Sequence, residues 1–90
     1  MTRRFLITLH ALSRFIERYE GSGDLPSGQL RPFLRNELKR AVPIGDQAGD
    51  GSLYLLPCGC VAVVVWHDAN GLVKTILTRA QARHVWTRAA

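Results

Sequence analysis

Three side chains that can bind phosphate or transfer a proton recur at four-residue spacing near the start of the chain: His10, Arg14 and Arg18. Residues four apart lie on one face of a helix, so these side chains would form a row. Lys74 and Thr75 are adjacent in a later apolar stretch. A histidine can shuttle a proton to or from an oxygen, while arginine and lysine stabilise negative charge on phosphorus. These five residues are the candidate catalytic set for metal-independent RNA cleavage; the alternative is an ordinary polar helix face.

A second cluster, Cys58-Gly59-Cys60, has residue types found in metal sites. Two cysteines in a turn can reach one ion, and the three histidines of the chain offer further ligands. Zinc sites usually place two or more residues between paired cysteines and add a second matched pair. A disulfide between residues two apart is strained. We therefore expect no metal site and no cofactor, and interpret the cysteines as small, partly buried thiols at a strand end.

The other familiar catalytic motifs do not occur in the sequence. It has no glycine-rich phosphate-binding loop and no nucleophile elbow. Its seven Asp and Glu residues lie mostly in predicted loops, so hydrolysis by paired carboxylates is poorly supported. No apolar run reaches the roughly 18 residues of a membrane span. The apolar run after the N-terminal arginines is too short for a signal peptide. We expect a cytoplasmic protein without membrane contact.

The positive charge is concentrated towards the two ends of the chain. The formal net charge is +5, with +4 in residues 1–45, −3 in residues 46–73 and +4 in residues 74–90. Ten of the twelve cationic residues are arginines, whose planar fork suits phosphate, so RNA or another polyanion is the expected partner. A solvated basic surface, with arginine favoured by a GC-rich genome, is the alternative. The candidate nucleic-acid-binding residues are Arg31, Arg35, Lys39, Arg79 and Arg83.

The densest apolar stretch, Cys60 to Thr78, organises the predicted fold. It is rich in β-branched residues, which favour strands. Turn-forming residues interrupt it at Asp68-Ala69-Asn70-Gly71, and Asn-Gly between apolar runs is a strong hairpin signal. The sequence therefore predicts antiparallel strands at Val61–His67 and Leu72–Thr78 around a turn at Asn70-Gly71.

Alternation along these strands divides their side chains between two faces. The expected core face carries Val64, Trp66, Val73, Thr75 and Leu77. The other face carries Val63, Val65, His67, Lys74, Ile76 and Thr78. On this pattern Thr75 is structural, and Lys74 with Thr78 faces a ligand.

Two helices are predicted before this hairpin. The first spans His10–Tyr19 with Thr8 as N-cap. Its buried stripe consists of Leu9, Leu12, Phe15, Ile16 and Tyr19. A flexible loop, Gly21–Gly28, leads to the second helix within Gln29–Val42. Because proline is tolerated only in the first turn, Pro32 places the start of this helix near Leu30 or Arg31.

Shorter elements complete the predicted domain. Phe5–Leu9 is a short strand, Pro43–Ser52 is a loop, and Leu53–Leu56 pairs with Val61–Val65 through the turn Pro57-Cys58-Gly59. Arg79–Thr87 forms a closing helix with Thr78 as N-cap. The expected fold class is a single α+β domain over residues 1–90. In it, a small antiparallel meander packs with an N-terminal helix, a second amphipathic helix and a short C-terminal helix.

Two motifs resemble one group of nucleases. His10-Ala11-x-x-Arg14-Phe15-x-Glu17-Arg18 is similar to the "HAxxRxxER" opening of small bacterial and phage domains of the barnase–EndoU–colicin–RelE-like group of metal-independent ribonucleases. Leu72–Thr78 resembles their late "IKTVxT" strand after a "DxNG" turn. The resemblance covers about a third of the chain. It implies a helix packed on a small sheet, with site positions at His10, Arg14, Arg18, Lys74 and Thr75.

The leading hypothesis is an RNA-cleaving or RNA-binding domain of bacterial toxin or phage-accessory type. In it, His10 acts as general acid/base and Arg14, Arg18 and Lys74 bind phosphate. An antitoxin or a phage protein is a further candidate partner. The alternative is a non-catalytic phage or mobile-element accessory protein that binds a protein or nucleic acid through its arginine-rich helices. The third hypothesis is a thiol or metal site at Cys58 and Cys60.

Overall fold

The computed structural model describes residues 4–47 and 51–83 of the 90-residue chain. The strands are β1 (Arg4–Ile7), β2 (Val42–Gln47), β3 (Gly51–Leu55), β4 (Val61–His67) and β5 (Asn70–Leu77). The helices are α1 (Leu9–Arg18), α2 (Leu30–Lys39) and α3, described over residues 79–83. Two short 3-10 helices, Glu20–Asp24 and Ser27–Gln29, lie in the predicted loop between α1 and α2. Residues 84–87 of the predicted closing helix lie outside the described residues.

The five strands form one mixed sheet in the order β1-β5-β4-β3-β2. Strands β2 to β5 are an antiparallel meander, whereas β1 pairs in parallel with β5. The α+β prediction is confirmed. The predicted antiparallel meander is present, and the parallel pairing of β1 adds a fifth strand to it, whose partner β5 lies at the far end of the sequence.

Strand β2 occupies the first half of a segment that the sequence predicts to be a loop, Pro43–Ser52. Pro43 and Gly45 are both poor strand residues, and the pairing with β3 shifts register between them. An edge strand tolerates proline because its outward N–H has no strand partner, and a bulge makes the edge a poor template for another chain. The residues that obscured the strand are therefore typical of a protected edge.

The central hairpin is confirmed, but its turn lies two residues earlier than predicted. His67 pairs with Asn70 and Trp66 with Gly71, which leaves Asp68-Ala69 as the turn. Asp68 has a φ of 56°, a left-handed conformation that aspartate tolerates better than most residues. Gly71 lies within β5 rather than in the turn.

A bulge in β5 changes the predicted division of side chains between the sheet faces. Val64 pairs with Val73, but Val63 pairs with Thr75, which leaves Lys74 as the extra residue. After a bulge the alternation shifts by one residue. Ile76 therefore belongs to the core beneath the helices, while Thr75 and Leu77 lie on the opposite face, so the predicted faces are wrong beyond Lys74.

Helix α1 begins where the sequence predicts. The Thr8 side chain accepts a hydrogen bond from the Ala11 N–H (3.0 Å) and donates one to the Val73 carbonyl (2.9 Å). Ala11 and Phe15 are buried. Leu9 and Ile16, predicted in the buried stripe, are 79% and 44% exposed. The helix meets the sheet through the narrow row of Ala11 and Phe15. Leu9 and Ile16 lie about a third of a turn or more from this row, so they reach solvent.

Helix α2 starts at Leu30 and holds Pro32 in its first turn, as predicted. It buries Leu30, Leu34 and Leu38 against the core shared with α1 and the sheet. Between the helices, the Tyr19 ring stacks on Phe15 and Phe33, with centroids 5.0 and 5.3 Å apart. A smaller apolar cluster on the other face of the sheet includes Ala82 of α3.

Thr78 caps α3 as predicted. Its side-chain oxygen accepts from the Gln81 N–H (3.1 Å), and the Gln81 side chain accepts from the Thr78 N–H (2.9 Å). This reciprocal capping box fixes the direction in which α3 leaves β5.

Candidate functional site

Arg18, at the C-terminal end of α1, reaches the backbone of β5. Its Nη1 donates to the Ile76 carbonyl at 2.5 Å. Strand β1 pairs with β5 only as far as Val73, so this carbonyl lies beyond the end of β1. Together with the bond from Thr8 to Val73, the arginine holds α1 to β5 at two points. These two points lie on either side of Lys74, which is exposed.

Arg31 and Arg35 of α2 contact the outer edge of β1. The Arg4 N–H donates to Ala69, so the backbone of Arg4 faces β5 and the carbonyls of Phe5 and Ile7 face outwards. Arg31 donates to Ile7 (3.3 Å) and Arg35 to Phe5 (3.4 Å), both long hydrogen bonds.

The spacing of the two arginines along α2 matches the spacing of the two carbonyls along β1. Residues four apart on a helix are separated by about 6 Å along its axis. Residues two apart on a strand are separated by about 6.6 Å. The arginines thus cover the backbone of an edge strand, a structural role beside their predicted part in nucleic-acid binding.

His10 and Arg14 lie on the solvent side of α1. Arg14 forms a 2.7 Å ion pair with Glu17, and this hydrogen bond together with the charge of Arg14 lowers the pKa of the Glu17 carboxyl. From His10 to Arg18 the helix rises about 12 Å. The predicted row of His10, Arg14 and Arg18 therefore forms an extended strip along the helix.

The five candidate catalytic residues do not share one surface. His10, Arg14 and Arg18 lie on α1, and Lys74 is in the segment of β5 that α1 spans. Thr75 pairs with Val63, whose cluster lies on the other face of the sheet. The structure thus separates Thr75 from the row on α1, and Lys74, the extra residue of the bulge, is exposed.

A cavity of about 470 Å³ opens where the end of α1, the turn before β4 and the start of α3 meet. Its lining includes Arg18, Tyr19, Cys58, Cys60, Thr78 and Arg79. Arg18 comes from the predicted catalytic set and Arg79 from the predicted nucleic-acid-binding set. Neither helical periodicity nor strand alternation relates them, and only the fold brings them to one cavity.

Arg79 and Arg83 also border a smaller cavity of about 230 Å³ with Ile44, Leu55, Val61 and Ala82. The remaining candidate, Lys39, is exposed at the end of α2. The predicted nucleic-acid-binding residues are thus divided among the β1 edge, the end of α2 and the start of α3.

The predicted turn Pro57-Cys58-Gly59 forms one wall of the larger cavity. The Leu56 N–H donates to the Cys60 carbonyl and the Gly59 N–H to the Leu56 carbonyl, both at 2.9 Å. Gly59 has a φ of 98°, which few residues other than glycine adopt. This geometry directs both cysteines to the cavity.

Glu37 holds this turn from α2. Its carboxylate accepts from the Cys58 N–H at 2.7 Å, and the residue is 6% exposed. Glu37 is not among the site residues predicted from the sequence. A lone glutamate among the apolar positions of α2, between Leu34 and Leu38, was the available signal, since charged residues are rarely buried without a partner.

The thiols of the turn interact with each other. Hydrogen bonding between the two side chains raises the pKa of Cys58 and lowers that of Cys60, and the Cys60 sulfur also donates to the Arg18 carbonyl at 3.9 Å. The burial of both thiols opposes ionisation. Within residues 4–47 and 51–83, no three His, Cys, Asp or Glu side chains are grouped so that they could hold a metal ion.

Comparisons with models of protein families, with curated proteins and with solved structures found no significant match to this chain. The resemblance to small ribonucleases therefore remains a motif-level hypothesis. No helix in the described part of the chain is long and apolar enough to cross a membrane.

Proposed function

We propose that this protein binds single-stranded RNA, or another phosphate-bearing polyanion, at the cavity between Arg18 and Arg79. The observation that carries the proposal is that Arg18 and Arg79, from helices at opposite ends of the chain, line one solvent-open cavity. Arginine binds phosphate through paired N–H donors, and a cavity of this size admits a phosphate group.

Arg18 is well suited to this role because its position is fixed. One of its five N–H donors bonds to the Ile76 carbonyl, so the side chain loses less freedom when it binds a ligand. The remaining donors and the full charge stay available to an anion. Thr78 adds a hydroxyl at the same cavity.

The strip of His10 and Arg14 extends this site along α1. A polymer with one phosphate at the cavity could continue past these side chains, since the strip is about 12 Å long. The net charge of +5 attracts polyanions over a longer range. An extended arrangement of this kind favours binding of a chain over recognition of one small anion.

Fluorescence anisotropy with labelled single-stranded RNA, over a range of salt concentrations, tests this proposal. Arg79→Ala should weaken binding about 10- to 150-fold, because a charge-assisted hydrogen bond contributes about 1.5–3 kcal/mol. It should also reduce the dependence of log K on log salt by about 0.7, the share of one phosphate contact in single strands. Arg18→Lys keeps the charge but loses the fork, and should weaken binding less.

Arg4→Ala is the matched control, since it removes the same charge at the other end of β5. Arg4 pairs with Asn70, eight residues before Thr78, which corresponds to about 26 Å along the strand. Equal losses in Arg4→Ala and Arg79→Ala would indicate general charge attraction and would overturn the cavity site. Failure of the wild type to bind any RNA at low salt would favour the accessory-protein alternative.

RNA cleavage is the second candidate function, and the position of His10 and Arg14 on the solvent side of α1 supports it. Lys74 lies in the segment of β5 between the two points at which α1 is held, and it is exposed. In this proposal His10 transfers the proton, and the cations stabilise the negative phosphorus centre. His10→Ala should slow cleavage about 10²–10⁴-fold with little change in RNA affinity.

Thr75→Val is the control for cleavage, because Thr75 lies on the opposite face of the sheet and should leave the rate unchanged. Cleavage should also persist in excess EDTA. Equal rates for wild type and folded His10→Ala would refute the cleavage mechanism while leaving the binding site untouched.

A further inference from the structure

We propose that the cavity between Arg18 and Arg79 selects a terminal phosphate monoester of RNA, at a 5′- or 3′-phosphorylated end, over the phosphodiesters within the chain. This inference rests on the proposed RNA-binding function and names the part of the RNA that enters the cavity. It is carried by two hydroxyl-bearing residues, Tyr19 and Thr78, that line the cavity together with the two arginines.

Gly21 leaves room for the hydroxyl group of Tyr19 at the wall of the cavity. Both residues line the cavity, and a Cβ at Gly21 would lie 2.5 Å from the Tyr19 hydroxyl oxygen. The tyrosine ring is held in place because it stacks on Phe15 and Phe33. Burial raises the pKa of Tyr19, so at neutral pH its hydroxyl keeps the proton that it can donate to an anion.

Thr78 supplies the second hydroxyl, and the capping box at the start of α3 fixes its position. The Thr78 side-chain oxygen accepts from the Gln81 N–H at 3.1 Å, while the Gln81 side chain accepts from the Thr78 N–H at 2.9 Å. A hydroxyl group can accept and donate at the same time, so its hydrogen is available to a ligand. The cavity thus offers two hydroxyl donors in addition to the guanidinium groups.

This set of donors and charges suits a phosphate monoester better than a phosphodiester. A monoester carries about −1.5 to −2 charge at pH 7 and three strong acceptor oxygens. A backbone phosphodiester carries a single charge and has one acceptor oxygen fewer. The two arginines balance the larger charge, and the hydroxyls can bind the additional oxygen. None of the described residues that line the cavity is Asp or Glu, and the Glu37 carboxylate is bound to the Cys58 N–H.

The cavity also lies at one end of the strip along α1, which suits the end of a chain. Arg18 is the last residue of this strip and part of the cavity lining. A terminal phosphate in the cavity leaves one strand to accommodate, and that strand can follow Arg14 and His10. An internal phosphodiester would require a path for a second strand out of the same cavity.

Fluorescence anisotropy with one internally labelled single-stranded RNA tests the inference. The RNA is prepared without a terminal phosphate, with a 5′-phosphate or with a 3′-phosphate. One phosphorylated form should bind about tenfold more tightly than the unphosphorylated form at the same salt concentration, because it adds charge-assisted hydrogen bonds. The form that binds more tightly identifies the end that is recognised. Tyr19→Phe retains the stacked ring but removes a donor, so it should reduce this preference.

Gly21→Ala and Gly23→Ala are a matched pair of variants, with folding checked by circular dichroism. A Cβ at Gly21 displaces the Tyr19 hydroxyl, whereas a Cβ at Gly23 meets no atom within 4 Å. The preference for phosphorylated RNA should fall in Gly21→Ala and persist in Gly23→Ala.

The outcomes separate this inference from the proposed function. Equal affinity of the wild type for all three RNAs would overturn the inference and leave the RNA-binding site intact. Absence of binding to any of them would refute the proposed function and the inference with it. A preference that survives unchanged in Tyr19→Phe, Gly21→Ala and Arg79→Ala would show that the phosphate binds elsewhere, which also overturns the inference.

Discussion

Gly71 lies against the indole ring of Trp66, and its replacement by alanine tests how this corner of the sheet is packed. A Cβ at this position would approach two ring carbons of Trp66 and Cγ1 of Val64 to 2.9 Å. Carbon atoms normally pack about 3.5–4.0 Å apart. The ring has little freedom to move, since its Nε1 donates to the Tyr54 hydroxyl at 3.2 Å and it also packs on Phe5.

The expected cost follows from two opposing effects. Overpacking of this kind costs about 1–3 kcal/mol. Replacing glycine restricts the unfolded chain, which returns about 0.4–1 kcal/mol. Gly71→Ala should therefore destabilise by about 1–2 kcal/mol. In a domain of this size each kcal/mol lowers Tm by about 4–8 °C.

Thermal and urea unfolding followed by circular dichroism measure this change. Gly28→Ala is the matched control, because a Cβ there meets no atom within 4 Å, and it should be neutral or slightly stabilising. Adding Trp66→Phe should recover part of the loss in Gly71→Ala, since the smaller ring leaves space for the new methyl group. If Gly71→Ala is as stable as wild type, or if Trp66→Phe gives no recovery, the proposed steric conflict is refuted.

Two further predictions concern side chains that join distant elements. Thr8→Val should destabilise by about 1–2 kcal/mol through loss of the α1 cap, whereas Thr8→Ser should remain near wild type in urea unfolding. Glu37→Gln should speed alkylation of Cys60, because it removes a negative charge that raises the pKa of this thiol; a slower reaction would contradict this sign. Glu37→Ala should destabilise by about 1–3 kcal/mol, since it leaves the partly buried Cys58 N–H without its acceptor; an unchanged midpoint would contradict that role.

Local signals account for the elements that the sequence predicts well. Thr8 and Thr78 mark helix starts through hydrogen bonds within four residues, and Pro32 fixes the first turn of α2. The strands of the central hairpin follow from a run of β-branched residues around turn residues. Each of these features depends on neighbours in the sequence, so it can be read without knowledge of the fold.

The misplaced elements depend on contacts between distant segments. The Asn-Gly pair favours a turn, but the packing of Trp66 over Gly71 extends β5 through these residues. No residue type marks the bulge at Lys74, which decides the face on which Thr75 lies. Strand β1 gives no sign of its parallel partner, because that partner lies at the other end of the chain.

The candidate site also combines features that follow from the local sequence with features that require the whole fold. The row of His10, Arg14 and Arg18 follows from helical spacing and is present in the structure. The use of Arg18 to bind the Ile76 carbonyl, and its meeting with Arg79, require the whole fold. Sequence periodicity identifies side chains that share an element, whereas a cavity formed by several elements has no periodic signature.

An NMR titration of isotope-labelled protein with a short single-stranded RNA tests the central claim most directly. The side-chain Nε–Hε signals of Arg18 and Arg79 should shift in a saturable manner, together with the backbone amides of Gly59 and Cys60 in the cavity wall. The corresponding signals of Arg4, at the far end of the sheet, should change little. Shifts confined to Arg31 and Arg35 at the β1 edge, with none at Arg18 or Arg79, would contradict the proposed site.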